Sequence, residues 1–242
     1  MPAPKIRDFR VTSNTVLATD CFLLTFEPAD GEPMFTFTAG QWVMVYLPPL
    51  VAGEKPWRGA FSIASSPSDS KTSFELAVKI YGDFTKRLQK LAVGDIVQIH
   101  GAFGIFTLRP NADHLVMFAA GIGITPFRSM VRELAEGNDL RDIHVIYSNR
   151  SVDGTSFEEE FRALQAAHPN IHTTFILTKD PPQGWTGETG RFDAEKCTRL
   201  IPDISNREFL MCGSPEFMQT IAELLAARGL DTKAKLRKEL FG

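Results

Sequence analysis

Hydrophobic and polar positions alternate along the first half of the chain. In the run FELAVKI the apolar side chains are Phe74, Leu76, Val78 and Ile80. They fall on one side of an extended strand, because successive side chains of a strand point to opposite faces. Glycine and proline interrupt two further β-rich runs, FTAGQWVMVYLPP and DIVQIHGAFGIFTL. Short, closely spaced strands without a long helical pattern predict an antiparallel barrel or sandwich over residues 1–109.

The pattern changes after Pro110. Short, continuously apolar runs now alternate with amphipathic helices, as expected for a parallel sheet that helices cover on both faces. The predicted strands are LVMFAA (115–120), IHVIY (143–147), TTFIL (173–177) and EFLMC (208–212), with KLRKEL near the end. We therefore predict a second domain, an α/β parallel-sheet nucleotide-binding domain, over residues 110–242.

Apolar residues at helical spacing mark two helices of this second half. These residues are Phe127, Met130, Val131 and Leu134 in one helix, and Phe157, Phe161 and Leu164 in the other. Ser156 and Glu159 have the spacing of a capping box, in which each side chain bonds the backbone N–H of the other residue. The second helix is therefore predicted to begin beside Ser156.

A glycine loop, AAGIGITPF, joins the first strand of this half to its first helix. Gly121 permits a tight turn, and Gly123 lets a backbone approach a pyrophosphate with no Cβ in the way. Thr125 is predicted to cap the helix through its hydroxyl, and Pro126 suits the first helical position. The free N–H groups and the positive helix end favour an anion. We predict a dinucleotide site that includes Ile124, with an ordinary capped helix as the alternative.

A second loop repeats this chemistry after the fourth strand. Cys212, Gly213, Ser214 and Pro215 supply a strand end, a glycine, a hydroxyl cap and a proline at the helix start. In an open parallel sheet the ligand lies where the strand order reverses. If the first and fourth strands are neighbours, both loops face one crevice, and Cys212 meets the nucleotide.

The end of the second strand bears on the choice between NAD and NADP. An NAD site commonly has a carboxylate there, whereas a 2′-phosphate requires arginine or hydroxyl groups. This chain has Ser148 and Arg150, with no carboxylate until Asp153. The pattern favours NADP, although a solvated loop explains the same residues.

One segment of the first half departs from simple alternation: WRGAFSIASSP, residues 57–67. Together with the motifs above, it resembles the ferredoxin–NADP reductase superfamily of flavoproteins, which includes cytochrome b5 reductase-like enzymes. The resemblance extends from Gly40 in GQW to the terminal pair Glu239 and Phe241. It implies that the first domain is a Greek-key β-barrel that binds FAD, with FMN as the alternative, and that the second binds NADPH or NADH.

The resemblance also implies roles for individual residues. Phe61 would lie along the flavin, and the Ser62 hydroxyl near the reactive N5. Arg58 would contact the flavin phosphates. It stands three residues before Phe61 instead of two, and a one-residue bulge beside Gly59 and Ala60 could restore that contact. The other implied flavin residues are Ile63, Ser65, Val78, Lys79, Ile80, Gly82, Phe84 and Thr85, the last three at a second phosphate segment.

The implied reaction transfers a hydride from NAD(P)H to flavin N5. Ser62, Cys212 and Glu239 would surround the reacting atoms, and Phe241 would stack near the flavin and yield to the nicotinamide. Cys212 is not expected to act as a nucleophile, because no histidine is placed to activate it.

Composition limits the remaining possibilities. A net charge of -3 and a pI of about 6.0 exclude the basic field that attracts nucleic acid. We expect a cytoplasmic monomer, since neither a signal peptide nor a membrane span of about 20 apolar residues is evident. The three cysteines include no C-x-x-C pair, so we predict no disulfide framework and no iron–sulfur cluster in this chain. The scattered histidines predict no metal site.

Without an iron–sulfur domain of its own, the chain is expected to pass electrons to a separate acceptor. That acceptor could be a ferredoxin, a flavodoxin, a cytochrome, an oxygenase component or a small molecule. Two other functions fit the same sequence: a flavin-free NAD(P)-dependent dehydrogenase, and a non-catalytic redox-sensing or electron-transfer subunit. The first predicts a colourless protein, and the second predicts bound flavin with negligible turnover.

Overall fold

The computed structural model describes residues 4–51, 53, 55–110, 112–179 and 181–240. The chain forms two compact units. The first unit contains Met1–Thr107 and Arg128–Glu136, and the second contains Leu108–Phe127 and Gly137–Gly242. The segment Arg128–Glu136 therefore groups with the N-terminal residues, whereas the sequence pattern places it with the C-terminal half.

Six antiparallel strands and one short helix form most of the first unit. In chain order they are β1 (Ile6–Ala18), β2 (Cys21–Pro28), β3 (Trp42–Leu47), β4 (Trp57–Ser62), β5 (Phe74–Lys79), α1 (Asp83–Gln89) and β6 (Ile96–Phe103). The strand order is β4-β3-β6-β1-β2-β5. A bridge between Ile63 and Leu76 joins the two ends of this order, so the sheet closes on itself. The predicted antiparallel barrel is confirmed.

The barrel core follows from the alternation in the sequence. On β3, Val43, Val45 and Leu47 are buried while the residues between them are partly exposed. Aromatic side chains fill the centre, with Phe74 contacting Phe9 edge to face at 5.5 Å between ring centroids. Such aromatic pairs stabilise a core beyond the area that they bury.

The second unit is a parallel sheet with helices. Its elements are β7 (His114–Ala120), α2 (Thr125–Glu136, which continues into the first unit), β8 (Asp142–Asn149), α3 (Glu158–Ala167), β9 (Ile171–Leu177), β10 (Glu188–Thr189), α4 (Ala194–Leu200), β11 (Glu208–Gly213), α5 (Pro215–Ala227), α6 (Thr232–Lys235) and β12 (Leu236–Leu240). All its strand pairs are parallel, so the predicted α/β architecture is confirmed. Within the described ranges, no helix has both the length and the apolar composition needed to cross a bilayer.

The strand order of this sheet is β10-β9-β8-β7-β11-β12. The first strand, β7, thus pairs with β8 on one side and with β11 on the other. Strand order reverses at β7, and ligands of open α/β sheets bind at the carboxyl ends of strands at such a point. The sequence-based condition that the first and fourth predicted strands be neighbours is met.

The start of α3 differs from the prediction. Its N-terminal flanking residue is Phe157, in the left-handed region (φ 60°), and no side chain caps the helix. The proposed capping box of Ser156 and Glu159 is therefore wrong. Three consecutive acidic residues, Glu158, Glu159 and Glu160, occupy the first turn instead, where negative charge offsets the positive helix end. Burial of the Phe157 ring outweighs the conformational cost of its backbone.

His144 on β8 predicts a pH-dependent stability. Its Nε2 lies 2.8 Å from the Thr174 hydroxyl, and burial lowers the pKa of His144 to about 4. The unfolded chain binds a proton near pH 6.5 and the folded chain does not, so stability is lost as the pH falls from 6.5 towards 4. We expect this residue to cost about 2 kcal/mol of unfolding free energy between pH 7 and pH 5.

Urea unfolding of the wild type and of His144→Gln at the two pH values measures this contribution. The variant should lose less stability on acidification than the wild type does. Equal losses would show that the histidine does not titrate on unfolding in this range.

Candidate functional site

The glycine loop of the second unit is itself helical. Gly121–Ile124 forms a 3-10 helix directly after β7, and its N-terminal flanking residue Ala120 is extended with no side-chain cap. Gly121 has φ +53°, and a Cβ there would have no atom within 4 Å. The loop therefore begins with a left-handed glycine beside open space, and its own N–H groups stand at a helix start.

Thr125 and Pro126 play roles that differ from the prediction. Thr125 is helical (φ -54°, ψ -53°), and its hydroxyl donates to the Ile122 carbonyl at 2.7 Å. It therefore does not cap α2 by accepting from a backbone N–H. The reason is that the backbone is already helical from Gly121 onwards. The N–H groups without a side-chain cap are therefore those at the start of the glycine loop. Pro126 is the second residue of α2 and not the first.

Gly123 lies against the end of β11. A Cβ at this position would be 2.3 Å from the Cys212 carbonyl oxygen and 3.0 Å from the Gly213 nitrogen. These are backbone atoms, so no side-chain movement could relieve the contact. Because Gly123 has no Cβ, the main chain of β11 can approach it closely. The sequence pattern had predicted that a pyrophosphate would make this approach.

The second loop is built as predicted. The Ser214 hydroxyl accepts from the Phe217 N–H at 3.3 Å, and Pro215 is the first residue of α5. In the strand register, Cys212 pairs with Ala119 on β7 and with Glu239 on β12. The structure therefore brings Cys212, the glycine loop and Glu239 together at the carboxyl ends of the parallel strands.

The two ionisable groups here, the Cys212 thiol and the Glu239 carboxyl, both have raised pKa values. Burial, and then the nearby Glu239 charge, raise the pKa of the Cys212 thiol. Burial also raises the pKa of Glu239. A thiol with a raised pKa stays protonated at neutral pH and is a poor nucleophile, which agrees with the expectation that Cys212 forms no covalent intermediate.

The end of β8 lies beside the start of the glycine loop. Ser148 pairs with Ala120 in the strand register. Arg150 is exposed, and its carbonyl accepts from the Lys179 N–H at 3.0 Å. Ser148 is therefore next to the loop, and the Arg150 side chain is accessible to solvent.

In the first unit, the predicted flavin strand is regular. β4 pairs with β3 without interruption, Phe61 opposite Val43 and Arg58 opposite Tyr46. The expected bulge beside Gly59 is therefore absent from this strand, and that prediction is wrong. Because side chains alternate, Arg58 points to the face opposite that of Phe61. Its contact with flavin phosphates remains a prediction.

Gly59 makes room for an aromatic pair. The rings of Phe61 and Phe84 are stacked with centroids 6.1 Å apart and planes 15° apart. A Cβ on Gly59 would approach the Phe84 ring to 2.6 Å. Phe61 also packs against the barrel core. Two residues from separate predicted flavin segments thus come together on one side of β4.

The chain after β4 is deeply buried. Each of residues 62–65 is at most 4% exposed. The Ser65 hydroxyl accepts from the Glu75 N–H at 3.1 Å and from the Ser70 hydroxyl at 2.8 Å. The Ser65 hydroxyl therefore holds the loop together.

The second predicted phosphate segment is a capped turn. Thr85 Oγ1 accepts from the N–H groups of Tyr81 at 2.8 Å and Gly82 at 3.1 Å, and it donates to the Gly82 carbonyl at 3.0 Å. The Thr85 hydroxyl is thus engaged within the turn. A Cβ on Gly82 would meet no atom within 4 Å, so this turn leaves space for a ligand beside the start of α1.

The other residues that were predicted to contact the flavin lie in different environments. Val78 is buried in the barrel core. Lys79 forms an ion pair with Asp20 at 2.7 Å, and the Ile80 N–H donates to the Asp20 carbonyl at 2.8 Å. Phe241 lies outside the described residues.

Sequence reasoning missed Arg128, Ser129 and Glu75. Arg128 Nη1 donates to Glu75 Oε2 at 2.6 Å and to the Ala64 carbonyl at 3.0 Å. The Ser129 hydroxyl donates to the Ser65 carbonyl at 2.7 Å. The only signal in the sequence is a charged residue within the apolar half of an amphipathic helix, and that signal does not identify its partners.

A solved structure shows the same fold. The flavohem-like FAD/NAD binding domain of nitric oxide dioxygenase from Vibrio cholerae O1 biovar El Tor matches with a TM-score of 0.86 at 22% sequence identity, covering 98% of each chain. The chain thus has the two-part fold of this solved domain, an antiparallel barrel and a parallel α/β sheet.

Sequence comparison assigns the family. Residues 8–108 match the oxidoreductase FAD-binding domain, and residues 117–223 match the oxidoreductase NAD-binding domain. The chain belongs to the ferredoxin–NADP reductase superfamily, which includes cytochrome b5 reductase-like proteins, as its motifs predicted.

Two curated relatives of this chain are named as reductases. NADH-cytochrome b5 reductase 1 of Neosartorya fischeri is 31% identical over 182 residues, which cover 69% of this chain and 58% of the relative. The glycine betaine monooxygenase reductase subunit of Chromohalobacter salexigens is 29% identical over 230 residues, which cover 93% and 60% of the two chains. The chain thus spans about three fifths of the length of these relatives.

Proposed function

We propose that the protein is a flavin-dependent NAD(P)H oxidoreductase, which takes a hydride from NAD(P)H onto FAD and passes electrons to a separate acceptor. The observation that carries this proposal is the succession of an FAD-binding-domain match and an NAD-binding-domain match in one chain. The two relatives named above, both called reductases, support the reaction class.

The residues fit both cofactors. Gly82 and Gly121 each face space that a Cβ would enter without contact. Each also stands at the start of a helical segment, where backbone N–H groups and the positive helix end favour phosphate oxygens. When bound, FAD supplies a group that accepts a hydride and releases electrons one or two at a time.

The chain's own residues would orient the reactants and exclude water. In this proposal Phe61 lines the flavin ring and the Ser62 hydroxyl hydrogen-bonds its N5. Gly121 and the loop after it would hold the nucleotide pyrophosphate. Cys212 and Glu239, whose pKa values are raised by burial, would lie beside the nicotinamide. Such alignment is the main contribution that a protein makes to cofactor chemistry.

For the adenosine end of the nucleotide, we propose contacts from Ser148 and Arg150. Both are compatible with a 2′-phosphate, because neither carries negative charge. The fungal relative, in contrast, is named as an NADH enzyme. The experiment described next therefore compares NADPH with NADH directly.

We propose a redox protein as the acceptor. The relatives' names point to a cytochrome in one case and to a monooxygenase component in the other. The three cysteines of this chain, Cys21, Cys197 and Cys212, are all buried, and an iron–sulfur cluster requires four closely spaced thiolates. Three thiols are too few for such a cluster.

The visible spectrum of the purified protein tests this function. We expect the absorption bands of oxidised flavin, which should bleach when NADH or NADPH is added without oxygen. The nucleotide that bleaches them faster is the physiological donor. A colourless protein that binds no added FAD would contradict the proposal and favour a flavin-free dehydrogenase. Bleaching without turnover of any artificial acceptor would favour a redox sensor.

A further inference from the structure

An arginine on helix α2 is buried against the predicted flavin segment. The Arg128 side chain is 5% exposed, and it belongs with Arg128–Glu136 to the first unit. Its Nη1 atom donates both to the Glu75 carboxylate at 2.6 Å and to the Ala64 carbonyl at 3.0 Å. A buried guanidinium is tolerated only with such partners, because an uncompensated charge in the interior is strongly destabilising.

Arg128 and its neighbour hold two successive carbonyls of one loop. Ser129 donates to the Ser65 carbonyl at 2.7 Å, next to the Ala64 carbonyl that Arg128 binds. On the other side of the loop, the Ala64 N–H donates to the Glu75 carbonyl at 2.8 Å, and the Ile63 N–H donates to the Gln41 carbonyl at 2.9 Å. The main chain directly after Ser62 is therefore fixed on both sides.

We infer that Arg128 is a positioning residue for the flavin. It would act through the main chain of Ala64 and Ser65, and so set the position of the adjacent Ser62 hydroxyl. The inference rests on the proposed function, because it assumes that residues 61–65 line the flavin. Precise chemistry requires supporting contacts of this kind, since groups on a loop lose their alignment when the contacts around them are removed.

Helix α2 gives this arrangement a further consequence. The helix begins at Thr125, directly after Gly121–Ile124, and Arg128 lies within its first turn. The loop proposed to bind the nucleotide and the residue that fixes the flavin segment are thus carried by one continuous helical stretch. The Arg128 contacts with Glu75 and Ala64 nevertheless lie in the first unit, whereas Gly121–Ile124 belongs to the second. We therefore expect loss of Arg128 to affect hydride transfer more than nucleotide binding.

The same helix offers a matched control. Arg132 lies one turn further along, and it pairs with the side chains of Asp69 and Glu136. Like Arg128, it joins α2 to the loop after β4, through Asp69, which lies four residues beyond Ser65. Arg132→Met removes the same kind of charge and leaves Arg128 and Ser129, which bind the carbonyls of Ala64 and Ser65, in the chain.

The experiment compares the wild type, Arg128→Met, Arg128→Lys and Arg132→Met as holoenzymes. Three quantities are measured: the FAD dissociation constant, the limiting rate of flavin reduction at saturating FAD and nucleotide, and the dissociation constant of the nucleotide. We expect Arg128→Met to weaken FAD binding and to slow reduction by about tenfold each. Nucleotide affinity should change by less than about twofold, Arg128→Lys should recover part of both losses, and Arg132→Met should match the wild type.

If Arg128→Met fails to fold, Glu75→Gln and Ser129→Ala are assayed in the same way, and both should slow flavin reduction at saturating FAD. The inference would be overturned if the folded variants kept the wild-type FAD affinity and reduction rate and only their melting temperature fell. The Arg128–Glu75 pair would then be a purely structural contact. A wild type that binds no FAD would refute the proposed function, and the role of Arg128 with it. A wild type that is active while its variants are unaffected would refute the role of Arg128 alone.

Discussion

Replacing Gly123 by alanine is expected to disable the nucleotide site. The new Cβ would lie 2.3 Å from the Cys212 carbonyl oxygen and 2.7 Å from its carbon, so the glycine loop and the end of β11 must separate. Overpacking against well-fixed atoms costs about 1–3 kcal/mol. If that cost falls on the loop, nucleotide affinity drops by about tenfold or more. Titration of the flavin protein with NADH or NADPH measures the effect.

Gly154→Ala is the matched control for this substitution. Its Cβ would meet only the Ser151 hydroxyl, at 3.6 Å, which is an ordinary van der Waals distance. The control should retain the nucleotide affinity of the wild type, and FAD content should be unchanged in both variants. Full nucleotide affinity in Gly123→Ala would show that the loop can move away from β11 without affecting the site.

Replacing Ser62 by alanine is expected to slow the reduction of the flavin by NAD(P)H. Ser62 is 3% exposed at the end of β4, and the proposed role of its hydroxyl is a hydrogen bond to the reacting atom N5. Leaving a buried polar atom without its partner costs about 1–3 kcal/mol, so the limiting rate in stopped flow should fall by about tenfold to a hundredfold.

Two further serine variants separate chemistry from folding. Ser62→Thr keeps a hydroxyl and should retain more activity than Ser62→Ala. Ser68→Ala removes a hydroxyl that donates to Glu133 at 2.8 Å, three residues beyond Ser65, and this variant should reduce flavin at the wild-type rate. An unchanged rate in Ser62→Ala would remove Ser62 from the mechanism.

Local patterns predicted most of the second unit. The continuous apolar runs at 115–120 and 208–212 became the central strands β7 and β11, with bounds that differ by one residue. Their success has a simple cause: a strand buried on both faces must be apolar throughout, and this requirement is visible without a structure. The Ser214-Pro215 helix start was equally local and equally predictable.

The predictions failed where several local choices had similar energies. At Thr125, the sequence fits a hydroxyl cap, but the 3-10 turn of Gly121–Ile124 starts the helical path earlier. At Phe157, burial of a ring placed the start of α3 one residue later than the capping box allowed. In β4, the ladder with β3 runs without interruption, so the bulge suggested by the extra residue between Arg58 and Phe61 does not form.

The sequence by itself determined the two classes of domain, the order of the strands along the chain and the loops that carry the nucleotide motifs, because these depend on residues close together in the chain. Only the tertiary structure decided that Gly123 meets the Cys212 carbonyl and that Arg128 reaches Glu75, 53 residues away. Contacts of this kind depend on how distant elements pack, and hydrophobic periodicity records which face is buried but not what that face touches.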